Sequence, residues 1–433
     1  MANKHASLDA LFADIADAIR EKIGDESIIP AVDFPDLIRE RLQVKPYLTF
    51  KSPNSFTLAV NDTTKHWDGT LEYSTDASTW STWDGTTTLS STTSGSSNVL
   101  YLRGTGNTVI TGNSTNYKWV LTGSDIKCIG NIENLLDYAT VQSGSHPTMA
   151  DYCYRNMFNG CTSLTQAPAL PATTMAQSCY HSMFKGCIGL TQAPVLPATT
   201  LAIYCYYEMF NGCTSLTQAP ALPAKTLANF CYQSMFQDCT ALTQAPALPA
   251  TTLKVYCYQS MFQGCTSLTQ APVLPATTLA DSCYYRMFSG CTSLTQAPSL
   301  PATTLASNCY YGMFIRCTSL TKVPSELPAT KLAVKCYAFI FEFTSITAIP
   351  RIMATTYATD SCKGMFDDIK TLNVYSSSGE GHTYRWTAPA STYCSGMFGS
   401  DDGESEWAKL DGSNFPNSGT PTEGVTYYFA TVD

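Results

Sequence analysis

From Cys153 onward the apolar positions recur in blocks. Each block reads C-Y-x-x-M-F-x-G-C-T-S-L-T-Q-A-P-x-L-P-A-T-T-L-A-x-x, and the Met-Phe pair returns at Met157, Met183, Met209, Met235, Met261, Met287 and Met313, always 26 residues apart. The pattern then loosens: Ile340-Phe341, Met365-Phe366 and Met397-Phe398 follow at intervals of 27, 25 and 32. Seven regular units and three decayed ones at such a period predict a solenoid, in which each unit covers its neighbour's apolar face. Within one unit, Leu201, Cys205 and Met209 stand four apart and Tyr206 and Phe210 widen the stripe. That spacing predicts a short helix over 201–212, with Thr200 as N-cap and Gly212 closing it. The following Thr214–Leu222 is too Pro-rich for a helix and predicts an extended segment, with Leu216, Ala219 and Leu222 inward. Each unit is therefore expected to be one strand plus one helix, with a parallel ladder on the strand side.

The flanks carry other patterns. In residues 1–45, Leu8, Leu11, Phe12, Ile15, Ile19 and Ile23 follow helical spacing after Ser7, and Gly24 ends the run. A second helix is expected from Asp33, with Pro35 in its first turn and Leu37, Ile38 and Leu42 buried. Two short amphipathic helices need partners, which are either the next domain or other chains in an assembly. Residues 46–130 predict a β-sandwich, from strand-like runs at 47–51, 56–60, 70–73, 99–103 and 118–122 between Asn, Asp, Gly and Ser turns. Trp67, Trp80, Trp83 and Trp119 gather there, as sandwich core or as platforms for sugar rings. Residues 131–152 are expected to cap the solenoid, which fills 153–370. Residues 371–433 mix decayed repeat with a C-terminal cap, whose last strand begins near Thr426.

Composition narrows the field. The 433 residues carry 25 Lys+Arg against 34 Asp+Glu, a net charge of −9, without basic clusters. Phosphate binding depends on concentrated positive charge, so nucleic acid is not an expected partner. No apolar run approaches the ~20 residues of a membrane helix, so membrane insertion is not expected either. Asp9, Asp14, Asp17 and Arg20 interrupt the N-terminal apolar residues, unlike a secretory leader. Of the 18 cysteines, fourteen form two series at period 26, Cys153 to Cys309 and Cys161 to Cys317. In the decayed units Phe343 and Ile369 are read as replacing the second series, which makes the slot apolar packing. The spacing C-x7-C with only five His in the chain does not suit zinc. No metal and no cofactor is expected.

Two resemblances follow from these motifs. The run G-C-T-S-L-T, then x-x-P-x-L-P and a small-residue turn, resembles the bacterial leucine-rich repeats of the BspA type over roughly residues 150–400. The unit is longer than the common one, and Met-Phe stands where many relatives have Ala-Phe. The stretch L-F-A-D-I-A-D-A-I-R-E-K-I-G with A-V-D-F-P-D-L-I resembles a segment at the start of bacteriophage tail and other structural proteins. Within residues 46–130, L-E-Y-S-T-D-A-S-T-W resembles an immunoglobulin-like or fibronectin-like hairpin. The fold class is then α+β multidomain: a helical segment, a small Ig-like sandwich and a leucine-rich solenoid. The resemblances imply a virion protein, assembled in the host cytoplasm, that docks onto other virion proteins through Leu8, Leu11, Phe12, Ile15 and Ile19. The solenoid would be a tail-fibre or head-fibre adhesin, homo-oligomeric and turned toward a host-surface glycan or protein. The alternative is a bacterial cell-surface adhesin.

Catalytic signatures are missing: there is no G-x-S-x-G, Walker loop, H-E-x-x-H or strand-linked G-x-G-x-x-G, and no enzyme is expected. His181 occupies a slot that other units fill with Tyr, Gln or Arg, and it is read as solvated. Binding candidates come from slots that vary between units. Tyr207, Tyr285 and Tyr311 share one slot, and Tyr204, Phe230 and Tyr256 share another. Tyr204 and Tyr207, three apart, are expected to face the same way. They either contact a glycan or protein partner or pad the solenoid against the next unit. On the strand side Gln166, Gln192, Gln218, Gln244, Gln270 and Gln296 recur at one slot, which Lys322 ends. Their amides are expected to hydrogen-bond along the ladder, with carbohydrate binding as the second reading.

Overall fold

The computed structural model describes residues 45–62, 64–399, 408–415 and 418–430. The chain divides into two units after Pro46, and the described strands and helices belong to the second, Tyr47–Asp433. The helices expected in residues 1–45, with the docking residues Leu8 to Ile19, lie outside the described residues.

The second unit opens with two sheets. β1 (Leu48–Ser52), β2 (Thr57–Val60), β3 (Thr70–Ser74), β4 (Ser81–Trp83), β5 (Leu89–Ser90), β6 (Thr92–Ser94), β7 (Ser97–Thr105), β8 (Trp119–Thr122) and β9 (Ile126–Ile129) follow one another in the chain. The larger sheet runs β9-β1-β7-β3-β4, with β6 also on β7, and the smaller runs β5-β2-β8. Alternating residues of both sheets, Leu48, Phe50, Leu58, Leu71, Leu100, Leu102 and Leu121, enter one shared core. Trp67, Trp83 and Trp119 are buried in it. Trp80 instead stays half-buried, with the Arg103 guanidinium 4.1 Å from its ring centre. A helix, α1 (Asn134–Gln142), broken at Asp137, lies against β7. It comes so close that a Cβ at Gly104 would overlap the Leu135 carbonyl.

This β layer does not end where the repeats begin. β10 (Leu164–Gln166), in the first repeat, joins the larger sheet parallel to β9. The amides of Ile110, Trp119, Ile126 and Ile132 donate to Cys153, Met157, Ser163 and Ala169. Residues 110–132 thus act as a coil before the first repeat and satisfy polar groups that a bare solenoid end would leave open.

The repeats contain no α-helix between 150 and 370 among the described residues, which overturns the expected helix at 201–212. In its place each unit forms a ribbon of turns four residues long. Tyr204, Glu208 and Gly212 are left-handed, at φ 57°, 50° and 72°. The amides of Tyr204, Tyr206, Glu208, Phe210 and Gly212 cross to the carbonyls of Asn229, Cys231, Gln233, Met235 and Gln237 in the next coil, at 2.8–3.3 Å. The amides between them, Cys205, Tyr207, Met209, Asn211 and Cys213, fold back onto carbonyls three residues earlier. Every amide along the ribbon is satisfied, half of them locally and half between coils. A four-residue repeat and a 3.6-residue helix diverge by only ~80° over two turns. Apolar spacing within a nine-residue window therefore does not separate them.

The extended side is correspondingly thin. Coils meet there mainly as single parallel bridges, such as Gln192 to Gln218 to Gln244 to Gln270 and Thr174 to Thr200 to Thr226. The short pair β11 (Glu326–Leu327) and β12 (Arg351–Ile352) appears only in the decayed units. Two prolines per unit remove donors a ladder needs. The expected continuous strand ladder gives way to sparse contacts, and the ribbon carries the coil-to-coil bonding.

Inside, two aromatic columns run along the solenoid. Tyr154 to Tyr337 stack with centroids 5.6–5.9 Å apart. Phe158 to Phe398 do the same. The Phe column begins on Trp119 and Phe50. It ends on Trp386, Phe415 and Phe429. All 18 cysteines are buried and unpaired. From Cys187 to Cys317 the second series points Sγ at the Phe carbonyl of the preceding coil, at 3.0–3.1 Å. Burial pushes Cys213 and Cys317 up to about 12, so these thiols stay protonated donors. One sequence reading needs correction: Phe343 does not replace a cysteine. It is the left-handed residue at the glycine slot (φ 55°), 37% exposed. Thr344 is buried in the cysteine slot and donates its hydroxyl to the Phe341 carbonyl at 2.7 Å. Ile369 does replace cysteine, fully buried.

The far end is closed by β13 (Asn373–Val374), β14 (Tyr384–Thr387), the short α2 (Ser391–Cys394), β15 (Lys409–Leu410), β16 (Ser413–Asn414) and β17 (Thr426–Phe429). β17 pairs antiparallel with β14, placing Trp386 and Tyr427 over the last rings of the Phe column.

Gly312 sits mid-ribbon at φ 54°. Gly312→Ala is expected to lower the unfolding free energy by about 1 kcal/mol in urea titration, because an L-residue pays that much in the left-handed region. At the same place an α-helix would gain about as much. The thiols are expected to resist a maleimide reagent in the native state and to react together on unfolding; rapid native labelling of most would contradict their burial.

Candidate functional site

Each ribbon carries two slots that vary between units, partly exposed where the residue is large and buried at Ser178 and Ser282. The first slot runs Tyr152, Ser178, Tyr204, Phe230, Tyr256, Ser282 and Asn308, each left-handed. The second, three residues on, runs Arg155, His181, Tyr207, Gln233, Gln259, Tyr285 and Tyr311. Successive coils stack within each slot. Tyr204 and Phe230 lie 4.5 Å apart at 14°, and Phe230 and Tyr256 lie 5.0 Å apart at 17°. His181 and Tyr207 lie 4.5 Å apart at 25°. Tyr204 meets Tyr207 edge-on at 5.6 Å, so the two do share a face, through the four-residue turn rather than a helix. Tyr285 and Tyr311 stack at 4.8 Å, with Arg286 beside them, as a separate patch.

These columns border a cleft of about 630 Å³. Tyr204, Tyr207 and Phe230 line it together with Tyr152, Arg155, Gln177 and His181, which sequence reasoning did not select. The missed residues share the two varying slots or adjoin them, so the signal was present in the column and not in the residue type. His181 is not solvated as expected. It is largely buried, its Nδ1 has no partner, and burial, aided by Arg155 and Lys185, pushes it down to about 3. It is therefore neutral at physiological pH. Glu208 is held by Lys185 at 2.6 Å and by Ser182 at 3.2 Å. Arg155 donates to the backbone and side-chain oxygens of Asn113 at 3.4 and 3.3 Å. Gln177 donates to the Tyr152 hydroxyl at 3.0 Å. The cleft is aromatic-walled, and its backbone is held by hydrogen bonds between coils.

The glutamine series behaves differently. Gln218, Gln244 and Gln270 sit exposed on bridged coils. No side-chain hydrogen bond joins their amides among the described residues, so the expected amide ladder is absent. Gln166 and Gln192, but not these three, line a shallow groove of about 1040 Å³ where β9 meets the first two repeats. Near the other end, Glu342, Asp367 and Asp368 bring carboxylate oxygens within 4.8 Å of one another. Burial and the Asp368 charge push Glu342 up to about 7 against the pull of Arg316 and Arg286.

No family model and no curated protein matches the chain. Among solved structures it is similar to a leucine-rich repeat protein from Bacteroides ovatus ATCC 8483, at 17% identity and a TM-score of 0.28. That match covers 51% of this chain and 63% of the other. At so low a score the repeat fold rests on the coils themselves.

Since the folded pKa of His181 lies below the unfolded 6.5, only the unfolded chain takes the proton between pH 6.5 and about 3. Stability is therefore lost as pH falls through that window. His181→Gln, the residue this slot holds at Gln233 and Gln259, is expected to match the parent at neutral pH and exceed it in thermal midpoint in acid. A constant difference across the range would contradict the burial of a neutral imidazole.

Proposed function

We propose that the protein is a non-catalytic attachment protein that presents a rigid solenoid to a surface glycan or protein. The observation that carries this reading is the aromatic cleft on the ribbon. Its walls come from slots that differ between otherwise repeated coils, while its backbone is fixed by bonds on both sides. Such preorganised aromatic surfaces bind with little ordering cost. Weak sites repeated on one particle gain avidity without any new contact.

The setting we propose is a bacteriophage virion, as a tail or head fibre assembled in the host cytoplasm. Support for it is the likeness of residues 8–38 to the start of phage structural proteins. In this reading Leu8, Leu11, Phe12, Ile15 and Ile19 dock onto other virion proteins, and several copies associate. The finer assignments, a BspA-type solenoid and an Ig-like first domain, belong to the same proposal. They are supported by the G-C-T-S-L-T…P-x-L-P units and by the two antiparallel sheets over one core.

Immunogold labelling of a lysate with antibody to the repeat segment tests the setting. Gold at a fixed site on particles is the expected result. Gold on cell envelopes with none on particles would replace the virion by a cell-surface adhesin.

A further inference from the structure

Rings stacked coil on coil cover one another's faces. Between Tyr204, Phe230 and Tyr256 the 4.5 and 5.0 Å spacings leave only ring edges to solvent. A ligand that packs flat on an aromatic face finds no such face there. The first slot, however, is interrupted once between two rings: Tyr152 and Tyr204 flank Ser178. All three have the same left-handed backbone, at φ 62°, 53° and 57°. At this slot the coil carrying Ser178 presents no ring, so the first-slot stack is broken between Tyr152 and Tyr204. The same coil's His181 ring lies 6.4 Å from the Tyr204 ring, tilted at 50°, and the Arg155 guanidinium lies 5.6 Å from the Tyr152 ring centre. At Ser282 the following coil has Asn308, so no second ring faces Tyr256. The gap at Ser178 opens into the 630 Å³ cleft, with Ser178 as its buried floor.

We propose that this gap holds a single uncharged hexopyranose ring of a glycan, sandwiched between Tyr152 and Tyr204. Two coils at strand spacing place the flanking rings about 10 Å apart. Two contacts of about 4 Å leave room for one puckered ring. The axial C–H groups of a pyranose carry partial positive charge and suit the negative faces of tyrosine rings. Its hydroxyls meet the Gln177 amide at the Tyr152 edge and the imidazole of neutral His181 beside Tyr204. Glu208 is paired with Lys185, and Arg155 donates through one terminal nitrogen to Asn113 while its Nε is buried without a partner; we take the occupant as an uncharged, hydroxylated ring. The inference deepens the attachment reading and rests on it for its purpose.

The test uses the full chain and the methyl glycosides of glucose, galactose, mannose and N-acetylglucosamine in saturation-transfer NMR. At least one is expected to bind, with a Kd of about a millimolar. Ser178→Tyr fills the gap with the residue that the same slot already holds at 152, 204 and 256. It is expected to keep the thermal midpoint and abolish the signal. Tyr204→Ala, which removes one wall, is expected to weaken binding at least tenfold. No signal from any glycoside, or an undiminished signal in Ser178→Tyr, overturns the proposal. Adsorption of the labelled chain to cells separates the two levels. Loss of sugar signal with unchanged adsorption in Ser178→Tyr would overturn the cleft as the attachment point and leave the attachment reading standing. No adsorption of the parent chain would remove that reading, while a glycoside signal sensitive to Ser178→Tyr would keep the sugar site.

Discussion

The structure depends on alternate backbone amides reaching from one coil to the next, and that arrangement is possible only because one residue in four is left-handed. A right-handed residue at Ser234 or Gly312 would turn the chain into a helix, whose amides bond within themselves and leave nothing for the neighbour. The left-handed residue reverses the turn, so five amides per coil point along the solenoid axis. The cost of about 1–2 kcal/mol for each L-residue in that region is offset by bonds that join every coil to the next. Glycine holds the last of the three slots in five of the seven regular ribbons, at Gly160, Gly186, Gly212, Gly264 and Gly290, where that cost vanishes; Asp238 and Arg316 take it in the other two.

Other features follow from this division. Because the ribbon holds the coils together, the opposite side tolerates two prolines per unit and contributes little more than single bridges. Because the coils are in register, identical side chains fall on one another, which produces the two buried ring columns and the row of thiols aimed at Phe carbonyls. A column of identical rings has no natural end. The β layer supplies one through Trp119 and Phe50, and the C-terminal strands supply the other through Trp386, Phe415 and Phe429. Outside, register has the opposite effect: varying residues at one slot build a graded surface, and a single serine between two tyrosines makes a recess.

Much of this is legible in the sequence. The period, the inward residues Cys205, Tyr206, Met209 and Phe210, and five of the nine strands between Leu48 and Ile129 (β1, β2, β3, β7 and β8) follow from residue spacing, whereas the short β4, β5 and β6 and the edge strand β9 do not. The ribbon does not, because Cys205, Met209 and Cys213 fit a helical stripe over so short a window, and no side-chain pattern reports the sign of φ except glycine. Gly312, in the middle of the expected helix, is the available clue. The burial of His181 escapes a sequence reading because its environment comes from Tyr207 and Arg155 in neighbouring coils, 26 residues away in each direction. Phe343 misleads because it stands 26 residues after Cys317, whereas the extra residue in that unit, visible in the interval of 27 to Ile340-Phe341, moves the cysteine slot to Thr344. Tyr204, Tyr207 and Phe230 group correctly, since slots that vary within an otherwise fixed repeat are free of the packing that fixes the rest.

Residue-resolved NMR of the backbone across Phe230–Asp238 tests the central claim most directly. Intraresidue amide–Hα distances and couplings are expected to place Phe230, Ser234 and Asp238 at positive φ, matching 60°, 52° and 58°. The residues between them should be right-handed, and the Ser234 amide should be protected from exchange by the coil that follows. Uniformly negative φ across the nine residues would restore the helix and contradict the account.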